Sequence, residues 1–496
     1  MEKLEADVAI IGAGITGCSI ARELSKYKIK TIVIEKEADA AWGTTKANSG
    51  LIHPGYAGTE GTLKLKICNA GSKLFLKNAQ ELEIAVQNDG SMLNALNEIQ
   101  IKELELNLRQ GQKYGVPGLE IIYNNNGALR KLEPNISNNV KACLYCKVHY
   151  RTSPYEAAIA IFENAKLNGV DFVFSSKVIS IHYDNVLKKF FIETLSTSGR
   201  LDENYGLNSV IEADYIVNAA GIFADEISRM SGDGFYNIKA FKGQYFLLDT
   251  ETKGFVKRLN LRISDTENSK SKGLVVIPAL SGNLLLGSTY EYTDKYDDST
   301  VSGVLEDVKL KLNSLFENIP FEKTITTFTG LRAVSDSHDF VLGPSKVNER
   351  FIEAAGIESP GLTCAFIIAE MTADFLNQKG VKLISNPSYK PHRKKSVKLD
   401  KEDFLSNNSY VNDNHDYGEI ICRCEKVTKA EIIEAIRNGA TTIDGIKFRT
   451  RAGMGRCQGG YCTLKVMKIL SEKLGIPFNE ITKSGGNSYI AGKKMA

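Results

Sequence analysis

Residues 6–37, ADVAIIGAGITGCSIARELSKYKIKTIVIEKE, read as strand, glycine turn, helix, strand and acidic residue in unbroken succession. That order leaves a chain few options other than a dinucleotide-binding βαβ unit. Gly12 allows the tight turn, Gly14 lets backbone approach a pyrophosphate, and Gly17 lets the helix pack on the strand. Free amides at the start of the helix then face the phosphates. Glu35 ends the second strand, where a carboxylate accepts hydrogen bonds from a ribose hydroxyl pair. The competing reading is a glycine turn that holds nothing, and the complete flanking pattern argues against it.

The rest of the chain bounds what this unit serves. At 496 residues, two or three domains are expected. With 62 basic against 59 acidic side chains, a net charge of +3 leaves no electrostatic footprint for nucleic acid. MEKLEADVAIIGAG runs straight into the first strand, which leaves no room for a signal peptide, and no apolar run approaches the roughly 18–20 residues of a membrane span. The expectation is a cytoplasmic protein whose nine cysteines serve metal, redox or packing roles and not disulfides.

One change of texture divides the chain. Residues 386–416 are polar, lack apolar periodicity and read as an exposed linker; its basic core HRKK reads as solvated, with a docking role on an anionic surface as the alternative. The reading places a first domain at 1–385, a second at 417–480 and a tail at 481–496. In the second domain VTKAEIIEAIRNGA and TLKVMKILSEKLG carry apolar residues at helical spacing, so each of two thiol pairs precedes a short helix.

After Glu35 the chain continues KEADAAWGTTKANSGLIHPG, a loop rich in small hydroxylated residues. With EADYIVNAAGIFADEIS, GLVVIPALSGNLLLGSTYE and AAGIESPGLTCAFIIAEMTADFL, it resembles the flavin-dependent oxidoreductases of the D-amino-acid oxidase and glycerol-3-phosphate dehydrogenase superfamily, over residues 4 to about 385. The resemblance implies an α/β and α+β fold: a Rossmann-like FAD-binding domain interleaved with an antiparallel-sheet substrate domain drawn from residues near 86–145 and 240–330. It implies that FAD is held by Gly12, Gly14, Gly17 and Glu35, by Thr44, Thr45 and Ser49 of the hydroxylated loop, and by Val178 and Gly221. Gly356, Gly361, Leu362 and Thr363 complete the set. The last three open a long apolar helix whose amides form a positive pocket facing the flavin edge. No second GxGxxG with strand–helix context occurs, so reducing equivalents are expected to come from a small organic substrate and not from NADH.

Two residues are expected to handle that substrate. Arg332, in TFTGLRAVSDSHDFVLG, stands where this family aims an arginine into the site, and its planar fork suits a carboxylate or phosphate. His53, in GLIHPGY, stands at the family's histidine position beside the flavin, where an imidazole takes the proton of an alcohol as its hydride leaves. The bland readings are a surface arginine and a turn histidine. Cys143 and Cys146 have C-x-x-C spacing but lie in a predicted strand, which points positions three apart to opposite faces, so a joint role is rejected. Cys18, Cys68 and Cys364 are expected to be buried packing thiols.

The remaining thiols, Cys422 and Cys424 in CRC, then Cys457 and Cys462 in RTRAGMGRCQGGYC, suit either a structural zinc or a [2Fe-2S] cluster; C-x-C is unusual for zinc. This segment resembles the bacterioferritin-associated-ferredoxin (BFD-like) type of small [2Fe-2S] domain. Glycines 453, 455, 459 and 460 are expected to offer amides to the sulfurs, and Arg423, Arg449, Arg451 and Arg456 to offset the cluster's negative charge. A flavin domain followed by this cysteine domain resembles the anaerobic glycerol-3-phosphate dehydrogenases. That resemblance implies oxidation of sn-glycerol 3-phosphate to dihydroxyacetone phosphate, with electrons leaving singly for companion subunits at or near the membrane. NSGLIHPGYAGTEGTLKLKIC also resembles L-2-hydroxyglutarate dehydrogenases, so a 2-hydroxy-acid substrate stays as an alternative. An assembly subunit with a zinc-bound interaction module is the alternative of another class.

Overall fold

The computed structural model describes residues 3–198, 209–264, 273–393, 396–399 and 408–492. Strand Lys3–Ile11 lies between parallel partners, Ser209–Asn218 on one side and Thr31–Ile34 on the other. A parallel strand is covered on both faces and needs a continuous apolar run; AII and TIVI supply one, and Thr31–Ile34 is buried throughout. The full sheet runs Ser176–Asp184, Lys189–Ser196, Ser209–Asn218, Lys3–Ile11, Thr31–Ile34 and Asp171–Val173, with Phe351–Ala355 joining the end of Ser209–Asn218 and Val341–Pro344 pairing antiparallel with Phe351–Ala355. Helices Ile15–Leu24, Leu63–Glu81, Pro154–Leu167 and Gly361–Gln378 share one apolar core against this sheet. Arg22, only 1% exposed, ties three of them together through Asn164 (2.9 Å), Asn78 (2.5 Å) and Glu81 (2.8 Å).

A second sheet is interleaved with the first in sequence. Its strands come from two windows, Ser91–Ala95, Leu119–Tyr123 and Ala142–Cys146 from one and six strands between Ile238 and Ser335 from the other. The windows join where Ser91–Ala95 pairs in parallel with Leu259–Arg262; the other pairings are antiparallel. Cys143 and Cys146 face opposite sides of their strand, one packed with Met92 and Ile136, the other with Tyr56 and Leu93. Cys18, Cys68 and Cys364 are buried in the helical core.

A third, small unit packs helices Lys429–Arg437, Ile443–Thr450 and Thr463–Leu474 around Ile432, Ile446, Met467 and Leu470. A capping box starts the first of these helices, Thr428 and Glu431 bonding each other's backbone. The stretch expected to be an exposed linker is docked at its beginning. The carbonyls of Lys390 and Pro391 accept from Asn164, Arg393 pairs with Glu163 at 2.7 Å, and the amide of Asn386 reaches the Lys26 carbonyl. Buried Arg22 and Asn164 have donors to satisfy, and this segment's carbonyls satisfy them. Two of the four HRKK residues, at 394 and 395, lie outside the described residues.

Candidate active site

The parallel strands of the first sheet end at one cavity of about 940 Å³, near the top of the roughly 300–1,000 Å³ range of small-molecule sites. Ile11 and Gly12, Ile34 and Glu35, Ala219 to Gly221, and Ala354 all line it. This is the crevice outside the carboxyl ends of the strands where open α/β sheets bind ligands. Gly12 takes φ +106°, and a Cβ there would stand 2.5 Å from the Ala219 carbonyl oxygen. A Cβ on Gly17 would fall on the carbonyl oxygen of Gly12, so helix and strand meet there only because the side chain is missing. Gly14 faces the cavity, with the Thr45 hydroxyl accepting from the Ile15 amide at 3.0 Å beside it. Glu35 accepts from the amides of Ala13 (2.7 Å) and Glu37 (2.9 Å), and its burial, opposed by these bonds, raises its pKa.

Of the residues expected to hold the cofactor, Thr44, Thr45, Ser49, Val178, Gly221, Gly361 and Leu362 also line the cavity. Gly17, Gly356 and Thr363 stand behind the lining. Thr363 is fully buried; its hydroxyl accepts the His53 amide at 2.9 Å, so it supports the histidine's backbone from behind. The second sheet closes the cavity from above, and Gly330 makes the contact: a Cβ there would overlap the Ala47 carbonyl. One residue on, the Leu331 carbonyl accepts from the Thr44 hydroxyl at 2.5 Å.

Arg332 and His53 both line this cavity. Three of the five Arg332 N–H donors are fixed, by the carbonyls of Lys242 and Thr289 (3.0 Å each) and by the Ser288 hydroxyl (2.6 Å). Its guanidinium lies 5.4 Å from the Tyr290 ring centroid. Among the described residues, the other two donors have no protein partner and suit an anionic ligand. His53 Nε2 lies 3.3 Å from the Ser359 hydroxyl. Behind it stands His149, which sequence reasoning did not single out; the ring centroids are 5.5 Å apart. His149 is fully buried with both ring nitrogens lacking a partner among the described residues, and burial, then the neighbouring His53, hold its pKa well below the ordinary value. Nothing local in KVHYRT signals this placement, since it arises from strand Tyr150–Thr152 pairing with Leu51–Ile52.

The four C-terminal thiols come together as two pairs. Cys424 and Cys457 lie 3.7 Å apart, and Cys422 and Cys462 are hydrogen-bonded partners. The bond to Cys462, with the amides of Gly453 and Glu425, holds Cys422 down to about 6, while Cys462 is pushed up. The Tyr461 and Gly459 amides likewise hold Cys457 below its usual value. A Cβ on Gly455 would overlap that of Cys424, so this glycine lets the loop close on the thiols. Two irons taking two thiolates each match the paired arrangement.

Residues 7–375 match the family described as DAO, FAD dependent oxidoreductase. The chain belongs to that family. Residues 420–472 match the BFD-like [2Fe-2S] binding domain. A glycerol 3-phosphate dehydrogenase of Caloramator mitchellensis is 39% identical over 98% of both chains. The anaerobic glycerol-3-phosphate dehydrogenase subunit A1 of Haloferax volcanii is 24% identical, covering 95% of this chain and 83% of its own. The FAD-bound L-alpha-glycerophosphate oxidase of Mycoplasma pneumoniae has the same fold, with TM-score 0.72 at 24% identity, matched over 80% of this chain and all of that one.

The DAO domain fits FAD on its own geometry: a glycine turn open to the cavity at Gly14, a carboxylate at the end of the second strand, and a helix N-terminus at Gly361 and Leu362. The BFD-like domain fits a [2Fe-2S] cluster through paired thiols with amides aimed at their sulfurs. Three of the four arginines expected to offset its charge pair with carboxylates instead. Arg449, 5% exposed, forms a bidentate pair with buried Asp39 of the DAO domain. Arg451 binds Glu425 (2.8 Å) and the Tyr155 hydroxyl (2.9 Å), and Arg456 binds Asp249 and Glu251. These three side chains pair with carboxylates, most of them across the domain joint. At the same joint Trp42 of the cavity wall meets Phe448 (5.6 Å between centroids), Phe448 meets Tyr155 (5.3 Å), and the Tyr155 hydroxyl reaches Met454 sulfur at 3.5 Å in the thiol loop.

Proposed function

We propose that the chain oxidises sn-glycerol 3-phosphate to dihydroxyacetone phosphate and passes the electrons through its cluster to a companion protein. The observation that carries this reading is the pairing of Arg332, with two donors left toward the cavity, and His53 in the lining of one crevice, whose wall touches the thiol-bearing domain. Bound FAD supplies a hydride acceptor and a [2Fe-2S] cluster a one-electron carrier. Arg332 holds the phosphate, and its three fixed donors keep the fork from turning as the ligand binds. His53 accepts the hydroxyl proton while the same carbon gives up its hydride, leaving a ketone. Ser359 orients the imidazole through Nε2, and the Thr363 hydroxyl fixes the backbone that carries it.

The receiving protein is proposed to be an electron-transfer subunit at the membrane, with this chain on the cytoplasmic side. Among the described residues no helix is long and apolar enough to cross a membrane. The 39% identity and near-complete coverage of the Caloramator relative, itself called a glycerol 3-phosphate dehydrogenase, support glycerol 3-phosphate over L-2-hydroxyglutarate. Anaerobic bleaching of the purified protein's flavin absorption tests the choice. Glycerol 3-phosphate is expected to bleach it; bleaching by L-2-hydroxyglutarate alone rejects this reading. Arg332→Ala is expected to weaken substrate binding about a hundredfold, the loss of a charge-assisted pair, with flavin content intact. An unchanged apparent affinity removes Arg332 from the role.

A further inference from the structure

The cavity wall near Glu35 is completed by residues from beyond the DAO match. Lys483, Ser484, Gly485 and Gly486 line it, together with Asp444 at the start of helix Ile443–Thr450. A Cβ built on Gly485 would stand 2.5 Å from the Cβ of Ala38, and one on Gly486 would stand 3.5 Å from the Thr197 carbonyl oxygen. Ala38 follows Glu35 by three residues, and the Thr197 hydroxyl donates to the Lys36 carbonyl at 2.6 Å. The segment therefore sits on the corner where a ribose and its base would lie.

It is a built loop and not a loose end. Ile481, 1% exposed, anchors it in the core of the BFD-like domain. The amides of Ile443 and Asp444 donate to the carbonyls of Thr482 (3.2 Å) and Lys483 (2.8 Å). Within the loop, the Ser488 hydroxyl accepts the Ser484 amide (2.8 Å) and donates to the Gly485 carbonyl (2.6 Å), and the Lys483 amide donates to the Ser488 carbonyl (2.8 Å). Gly485 and Gly486 take φ +90° and +53°, and the missing Cβ at 485 is what admits the loop against Ala38. Arg449 near the far end of the same helix grips Asp39, so helix and loop hold the nucleotide side at two points.

We propose that residues 483–486 close the adenosine end of the FAD site, so that the BFD-like domain retains the DAO domain's cofactor. The inference rests on the FAD assignment and is independent of the substrate. It is tested on the full-length holoprotein with Gly485→Phe, whose side chain cannot stand against Ala38, and with Ser488→Ala, which only loosens the loop. Release of FAD on dilution, followed by flavin fluorescence, is expected to be about tenfold faster in Gly485→Phe and less so in Ser488→Ala, with the iron–sulfur absorption unchanged. On full-length apoprotein, ADP binding is expected to weaken by a similar factor and FMN binding to stay the same. FAD release at the wild-type rate in both variants, or equal weakening of ADP and FMN, overturns the proposal. If Gly485→Phe fails to fold, Ser488→Ala decides by the same measurements.

Discussion

The flavin cavity and the thiol pairs hold redox groups with opposite materials. The first is made largely of backbone: strand ends, a glycine turn and helix amides converge, and its glycines matter through what they lack. The second is made of side chains, four sulfurs carried on two loops, with amides tuning them. A backbone site depends on the register of a whole sheet, whereas a thiol site depends on the identity of four residues. The two should therefore fail differently.

The largest effect is expected from Gly17→Val. Its Cβ would overlap a backbone carbonyl that cannot yield, so flavin content should fall to near zero while a cluster still assembles on the intact thiols. Flavin and iron per chain check this; a normal flavin content breaks the distinction. Cys457→Ser is the reciprocal case, expected to lose the iron–sulfur absorption and keep flavin bleaching by substrate, since flavin reduction comes before electron export. Next is Arg449→Leu, which leaves Asp39 buried without its partner. Breaking such a pair costs about 3–5 kcal/mol, measurable by urea unfolding. A cost below about 1 kcal/mol would mean the two sites are not joined through this pair.

The smallest effect concerns Glu353, beneath the strand end that leads to Gly221. Burial raises its pKa to about 7 against hydrogen bonds from Ser228, Tyr236 and Asn218. The folded state thus binds this proton more tightly than the unfolded chain. The resulting stability is fully present below about pH 4.5 and is lost as pH rises through about 7, a change of about 3 kcal/mol. Glu353→Gln should flatten that slope in denaturant titrations across the window. An unaltered slope would show that Glu353 does not titrate there.

What could be read in the chain follows from how local each feature is. The strand, turn, helix and acid of residues 6–37 are fixed by near neighbours, and so is the alternation that sends Cys143 and Cys146 to opposite faces. The thiol set is marked by residue type and spacing. Arg332 and His53 were legible only through resemblance, because the sheet crossings that bring residues 53 and 332 to one cavity leave no local trace. The same holds for His149 behind His53, for the Asp39–Arg449 joint, and for the docking of residues 386–393, where polar composition suggested solvent but buried donors needed carbonyls.

Gly330 bears on how a ligand enters. With the Ala47 carbonyl occupying the place of its side chain, and Leu331 bonded to Thr44 beside it, floor and roof are clasped at that point. Opening there would break a fitted contact along a continuous strand. Ligand entry at that point would require undoing the clasp, and the room beneath it already stands with its ceiling in place.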